Sequence, residues 1–147
     1  MGALPSTMLL DRHYSAVAFL GQYARANTPG GVMAHSYSSP GSQNLLMNGQ
    51  PTGEIETRTA LAGWFDTPVI FLSGDRAAAE QLKAIDPDAE TAVVKEGIDN
   101  YACISLSADA ARRLIRERAA ATLKPGAEII DARTIRFHGK DFFEAWQ

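Results

Sequence analysis

One histidine, His35, lies in a setting that suits proton transfer. It follows the Gly30–Gly31 pair and precedes a run of hydroxyl-bearing residues, Ser36 to Ser39. Imidazole titrates near neutral pH, so a loop histidine beside a buried strand can act as a general base or as a hydrogen-bond donor. The alternative is a histidine that bonds only the backbone of its own loop.

Two carboxylates occupy positions where α/β proteins place ligand-binding groups. Glu54 follows Gly53 at a predicted helix start, and Asp75 follows Gly74 at the end of a predicted strand. Ligands of open α/β sheets bind at the carboxyl ends of strands. Each carboxylate has a structural alternative, because Glu54 suits a helix N-terminus and Asp75 suits an N-cap. Lys95, at another predicted strand end, could polarise a carbonyl or be an ordinary surface lysine.

The spacing of the histidines does not predict a metal site. His13, His35 and His138 are too far apart to form a His-x-x-x-His pair on one helix. A zinc site needs about three protein ligands around an open position. The acidic residues that could join the histidines are Glu54, Glu56, Asp66 and Asp75.

Composition and missing motifs argue against serine-hydrolase, nucleotide-binding, dehydrogenase and nucleic-acid-binding functions. The sequence has neither a Gly-x-Ser-x-Gly elbow nor a phosphate-binding loop, and Gly30–Gly31 lacks the third glycine of a dinucleotide fingerprint. With 14 basic and 17 acidic residues, the net charge of −3 gives no footprint for nucleic acid. The arginines between Arg112 and Arg118 are typical of a solvated helix face.

The single cysteine and the lack of long apolar runs indicate in which compartment of the cell the protein is found. Cys103 has apolar neighbours, which predicts a buried structural thiol, and one cysteine permits no internal disulfide. The segment Met1 to Leu10 lacks the features of a leader peptide, and no run approaches the ~20 apolar residues of a membrane span. We therefore expect a cytoplasmic protein without membrane contacts.

Strands alternate with helices along the chain, which predicts a layered α/β fold with a mostly parallel sheet flanked by helices. Asn48–Gly49 predicts a turn, and Asp86-Pro87-Asp88 predicts a helix end. Strands are predicted at 16–20, 69–72, 90–94, 128–130 and 134–137. Helices are predicted from about 52 to 64 and at 76–85, 108–123 and 140–146.

The order of these segments resembles the D-aminopeptidase family of zinc metallopeptidases. The match around His35 is specific, because the loop, the histidine and the hydroxyl run agree together. The resemblance extends over nearly the whole chain and is carried by Phe19–Ala26, Thr28–Ser38, Asn48–Gly49, Gly53–Glu54, Ala60–Val69, Ser73–Ala77, Thr91–Lys95 and the segment from Pro125 to Ala145.

The resemblance implies a self-compartmentalising α/β hydrolase that removes N-terminal D-amino acids from small peptides with two zinc ions. His35 corresponds to the family's catalytic histidine, and Glu54 corresponds to a zinc-ligand glutamate. Such zinc ions would supply hydroxide near neutral pH and polarise the scissile carbonyl. The partners implied are small peptides and further copies of the chain.

Several family positions differ in this sequence. The metal-binding Asp-x-Glu-Gly and Asp-Ser-His-Gly segments do not occur, so residues 1–147 are expected to form one D-aminopeptidase-like domain that lacks the family's N-terminal strands. Tyr23 replaces a zinc-ligand histidine of a Gly-Tyr-His-Ala motif, and Arg58 replaces an asparagine. The loop before His35 is one residue longer, and a stretch between Leu123 and Pro125 is missing.

Three interpretations follow from these differences. The first is a hydrolase that is weakened or inactive as an isolated chain and that a separate N-terminal half could complete. His13 or an ionised Tyr23 could also substitute as a ligand. The second is a non-catalytic module for peptide binding or assembly. The third is a remnant without independent function, whose exposed sheet edge would favour aggregation or obligate oligomers.

Overall fold

The computed structural model describes Leu10 and residues 13–38, 44–122, 128–131 and 134–136. The described strands are β1 (Val17–Gln22), β2 (Leu45–Met47), β3 (Gln50–Thr52), β4 (Val69–Asp75), β5 (Glu90–Asp99), β6 (Ala102–Ser105), β7 (Glu128–Asp131) and β8 (Thr134–Arg136). The described helices are α1 (Glu54–Trp64), α2 (Arg76–Ile85) and α3 (Ala108–Ala121). The predicted helix at 140–146, His138 and the junction of Leu123 with Pro125 lie outside the described residues.

The main sheet has the strand order β1-β4-β5-β6. β1, β4 and β5 run parallel, and β6 returns antiparallel beside β5. The predicted α/β class with a mostly parallel sheet and flanking helices is confirmed. β2–β3 and β7–β8 each form a separate antiparallel pair.

Local sequence signals explain the element boundaries. The Asp75 side chain accepts a hydrogen bond from the Ala78 N–H and caps α2, and Ser107 does the same for α3 through Ala110. Asn48 and Gly49 have φ values of 54° and 79°, which the two-residue turn between β2 and β3 requires. The N-cap given as the structural alternative for Asp75 and the predicted turn are confirmed.

β4 is the centre of the core. All seven of its residues are buried, as its apolar sequence predicts for a parallel strand with neighbours on both sides. Residues of β4 contribute to two apolar clusters. One cluster includes Ile55 of α1 and Leu82 of α2, and the other receives Leu114 of α3. The helices thus pack against the first four residues of β4, Val69 to Leu72.

The prediction that Cys103 is buried is wrong. Cys103 lies exposed on β6, and all four residues of this strand are exposed. β6 pairs with β5 at the edge of the main sheet, so local apolar neighbours in the sequence did not produce burial. No helix in the described part of the chain has the length and hydrophobicity needed to cross a bilayer.

Candidate functional site

Glu54, the first residue of α1, carries a buried carboxylate, with 3% of its surface exposed. Its Oε1 atom accepts a hydrogen bond from the Tyr23 hydroxyl at 3.0 Å and another from the Tyr37 N–H at 2.7 Å. Its Oε2 atom is buried without a partner in the described structure. A buried carboxylate oxygen without a donor is costly, so this atom is suited to a further donor or cation.

The start of α1 is held close to the end of β1. A Cβ atom on Gly53 would lie 2.6 Å from the Cβ of Arg25, so only glycine allows this approach. Glu56 accepts a hydrogen bond from the Gly53 N–H at 2.8 Å and forms an ion pair with Arg25 at 2.7 Å. These contacts place Glu54 beside Tyr23, although 31 residues separate the two in sequence.

His35 stacks on Tyr23. Their ring centroids are 3.8 Å apart, and the ring planes meet at 24°. The His35 Nδ1 atom lies 2.6 Å from the Met33 carbonyl oxygen. Because a carbonyl oxygen can only accept, Nδ1 must carry the proton in this contact, which leaves Nε2 as the acceptor of a neutral ring. His35 is therefore oriented by a backbone bond and by an aromatic neighbour.

The phenol of Tyr23 is held in its neutral form. Partial burial raises the pKa of Tyr23 above its usual value of 10.0, and the hydrogen bond and charge of Glu54 raise it further. The positive charge of Arg58 acts in the opposite direction, but the net shift is upward. In the absence of a metal ion, this direction favours the neutral phenol over the phenolate that a metal ligand would require.

The loop that carries His35 is anchored to β4 and α2. Asp75 accepts a hydrogen bond from the Val32 N–H at 3.1 Å, and Gln81 accepts one from the Arg25 N–H at 3.1 Å. The buried Ser36 hydroxyl accepts a hydrogen bond from the Ala26 N–H at 3.1 Å. Both ends of the loop are thus fixed by side chains that sequence patterns alone do not connect to it.

The structure brings together His35 and Glu54 through Tyr23, whereas Asp75 and Glu56 are engaged in other contacts. Asp75 is occupied by the cap of α2 and by the loop, and Glu56 is paired with Arg25. Tyr37 was not predicted to contribute, and its backbone N–H is one of the two donors to Glu54. No sequence signal identifies a backbone donor of this kind.

The described residues do not fit a zinc site. They contain no group of three or more His, Cys, Asp or Glu side chains that could hold a metal ion. Beside Glu54, the position that the resemblance gives to an imidazole holds a neutral phenol, which donates a hydrogen bond to the carboxylate. One carboxylate is too few ligands for tight zinc binding.

The family model described as D-aminopeptidase matches residues 4–125 of this sequence. The chain belongs to the D-aminopeptidase family. It is 33% identical over 171 residues to a D-aminopeptidase of Bacillus subtilis (strain 168), with 94% of this chain and 62% of that protein covered. The predicted family resemblance is confirmed.

A solved structure agrees with this assignment. The chain is similar to the Zn-dependent D-aminopeptidase DppA from Bacillus subtilis, described as a self-compartmentalizing protease, with a TM-score of 0.72 and 32% identity. The similarity covers 93% of this chain and 61% of that structure. The chain therefore spans less than two thirds of the length of the D-aminopeptidases it matches.

Proposed function

We propose that this chain is a D-aminopeptidase-type hydrolase homologue for small peptides, with weakened or lost activity when it is isolated. Family membership supports the reaction class. The observation that carries the second half of the proposal is the 3.0 Å hydrogen bond from the Tyr23 hydroxyl to Glu54. That bond engages the inherited carboxylate with a neutral donor, and no described group of ligands compensates for the missing imidazole.

The remaining chemistry of the site supports peptide binding. Glu54 Oε2 is a buried acceptor without a partner, and the Nε2 atom of His35 is not the ring nitrogen that contacts Met33. An ammonium or amide group of a peptide can donate to acceptors of this kind. These two groups also support the alternative function, a non-catalytic module for peptide binding or assembly.

The same proposal extends to partners and location. The description of the B. subtilis relative as self-compartmentalizing supports assembly of this chain with further copies. The lack of a metal-binding group among the described residues supports completion of the zinc site by a partner chain, such as a separate N-terminal half. The single cysteine supports a cytoplasmic location. We also propose that zinc is the metal of the site completed in this way, and that residues 1–147 act as one domain.

The first experiment measures zinc bound by the isolated chain after dialysis against trace zinc. We expect far less than one zinc per chain, because about three protein ligands are needed. Tyr23→His should retain more zinc than the wild type, whereas Tyr101→His, which adds an imidazole at an exposed turn, should not. If the wild type retained one zinc per chain and Glu54→Gln lost it, the claim that the isolated chain binds zinc weakly would be refuted.

The second experiment separates the hydrolase from the binding module. Cleavage of a D-alanyl peptide is measured with the isolated chain and after addition of a chain that carries the Asp-x-Glu-Gly and Asp-Ser-His-Gly segments. Chelator-sensitive cleavage that appears only in the mixture supports a hydrolase completed by a partner. Peptide binding that chelator does not affect, without cleavage in either sample, would support the binding module instead.

A further inference from the structure

Asp75 uses both of its carboxylate oxygens, and only one of them is needed for the helix cap. The side chain is 2% exposed at the end of β4. Oδ1 accepts a hydrogen bond from the Ala78 N–H at 2.8 Å, and this bond is the cap of α2. Oδ2 accepts a hydrogen bond from the Val32 N–H at 3.1 Å. The second bond reaches a loop residue 43 positions away and adds nothing to the helix.

The backbone that follows Val32 leads directly to His35. Met33 has a φ of 53°, which L-residues with side chains rarely adopt, and its own side chain is exposed. Its N–H donates to the Asn100 carbonyl at 2.7 Å, and its carbonyl accepts from His35 Nδ1 at 2.6 Å. Because the Met33 side chain is not held by burial, this conformation depends on the hydrogen bonds at Val32 and Met33. The next anchor along the loop is the His35 N–H, which donates to the Ala24 carbonyl at 3.3 Å.

We infer that Asp75 is a positioning residue for His35, which it orients through the Val32 N–H and the Met33 carbonyl. Loss of the Val32 bond frees the Met33 backbone to leave the left-handed region, which moves the carbonyl that fixes the imidazole. The stack of His35 on Tyr23 then loosens. Only the role of His35 toward peptides rests on the proposed function. The hydrogen bonds by which Asp75 orients His35 do not depend on hydrolysis.

The test uses the ring-current shift that Tyr23 imposes on the His35 ring protons in an NMR spectrum. Asp75→Ser is the informative variant, because serine is a good N-cap for Ala78 but is too short to bond Val32 as well. We expect most of the upfield shift of the His35 protons to be lost. His35→Gln assigns the signals, and Tyr23→Leu gives their unstacked position.

A matched control removes a different helix cap. Ser107→Ala removes the hydroxyl that accepts a hydrogen bond from the Ala110 N–H at the start of α3. That bond involves no residue of the His35 loop. The His35 shift should remain as in the wild type. An Asp75→Ser spectrum with native dispersion and an unchanged His35 shift would overturn the inference.

A second measurement needs no variant. The Val32 amide of the wild-type chain should exchange with deuterium roughly 10-fold or more slowly than an unstructured peptide, because it is bonded to a buried carboxylate. Exchange at the unstructured rate would also overturn the inference. Neither measurement uses zinc or peptide cleavage, so failure here and failure of the proposed function are separate results.

Discussion

Removal of the Tyr23 hydroxyl tests the central contact of the site. Tyr23→Phe deletes the donor to Glu54 Oε1 and keeps the ring that stacks on His35. A hydrogen bond to a charged group contributes about 1.5–3 kcal/mol, and the carboxylate here is 3% exposed, so water cannot readily replace the lost donor. We expect the free energy of unfolding to fall by about that amount, or the Tm by about 3–12 °C for a chain of this size.

Urea denaturation followed by circular dichroism provides the measurement, with Tyr37→Phe as the matched control. The Tyr37 hydroxyl contacts Thr57, and the bond from Tyr37 to Glu54 uses the backbone N–H, which the control retains. Tyr37 is also exposed, so its substitution should change stability by less than about 0.5 kcal/mol. Equal effects of the two substitutions would refute the claim that the phenol of Tyr23 satisfies a buried carboxylate.

Two further predictions concern pH and backbone packing. The pKa of Tyr23 is raised in the folded state, so the neutral phenol adds stability below about pH 10, and this stability is lost as pH rises through the folded pKa. The free energy of unfolding, measured from about pH 9 to 11, should therefore fall more steeply for the wild type than for Tyr23→Phe. Parallel curves for the two proteins would contradict this prediction. In the same urea assay, Gly74→Ala should lower the free energy of unfolding by about 3 kcal/mol, because the added Cβ would overlap the Gln22 carbonyl oxygen. Gly63→Ala, where a Cβ in α1 has open space, should instead raise it by about 0.5–1 kcal/mol. Similar stabilities for the two glycine variants would show that β1 and β4 do not approach as closely as described.

Local signals in the sequence predicted the helices and buried strands well. The N-cap Asp75 and the stop at Asp86–Pro87 gave the bounds of α2, and the apolar run from Val69 to Leu72 gave most of β4. In these segments, the residues that determine where the helix or strand begins and ends are neighbours in sequence. Their effect therefore does not depend on the rest of the fold.

Features that depend on pairing between distant segments could not be predicted. β6 has only four residues, and its existence depends on antiparallel pairing with β5. Ala102 to Ser105 has no alternation strong enough to distinguish a strand from a loop. The burial predicted for Cys103 failed for the same reason, because exposure at a sheet edge is set by tertiary neighbours.

The candidate site shows the same division. His35 and Glu54 could be selected from residue type, loop chemistry and the family resemblance. The role of Tyr23 as donor to Glu54 needs a contact across 31 residues, and the role of Asp75 toward Val32 needs one across 43. Secondary-structure signals act over one or two turns and carry no information at that range.

The exposed thiol on β6 makes the chain convenient for site-specific labelling. Cys103 is the sole cysteine of the sequence, so a maleimide dye would attach at one position without prior mutagenesis. Its cross-strand partner is Gly97, whose backbone lies against Gly30 at the beginning of the His35 loop. Fluorescence from that dye would report movement of the loop in real time, including movement caused by an added peptide.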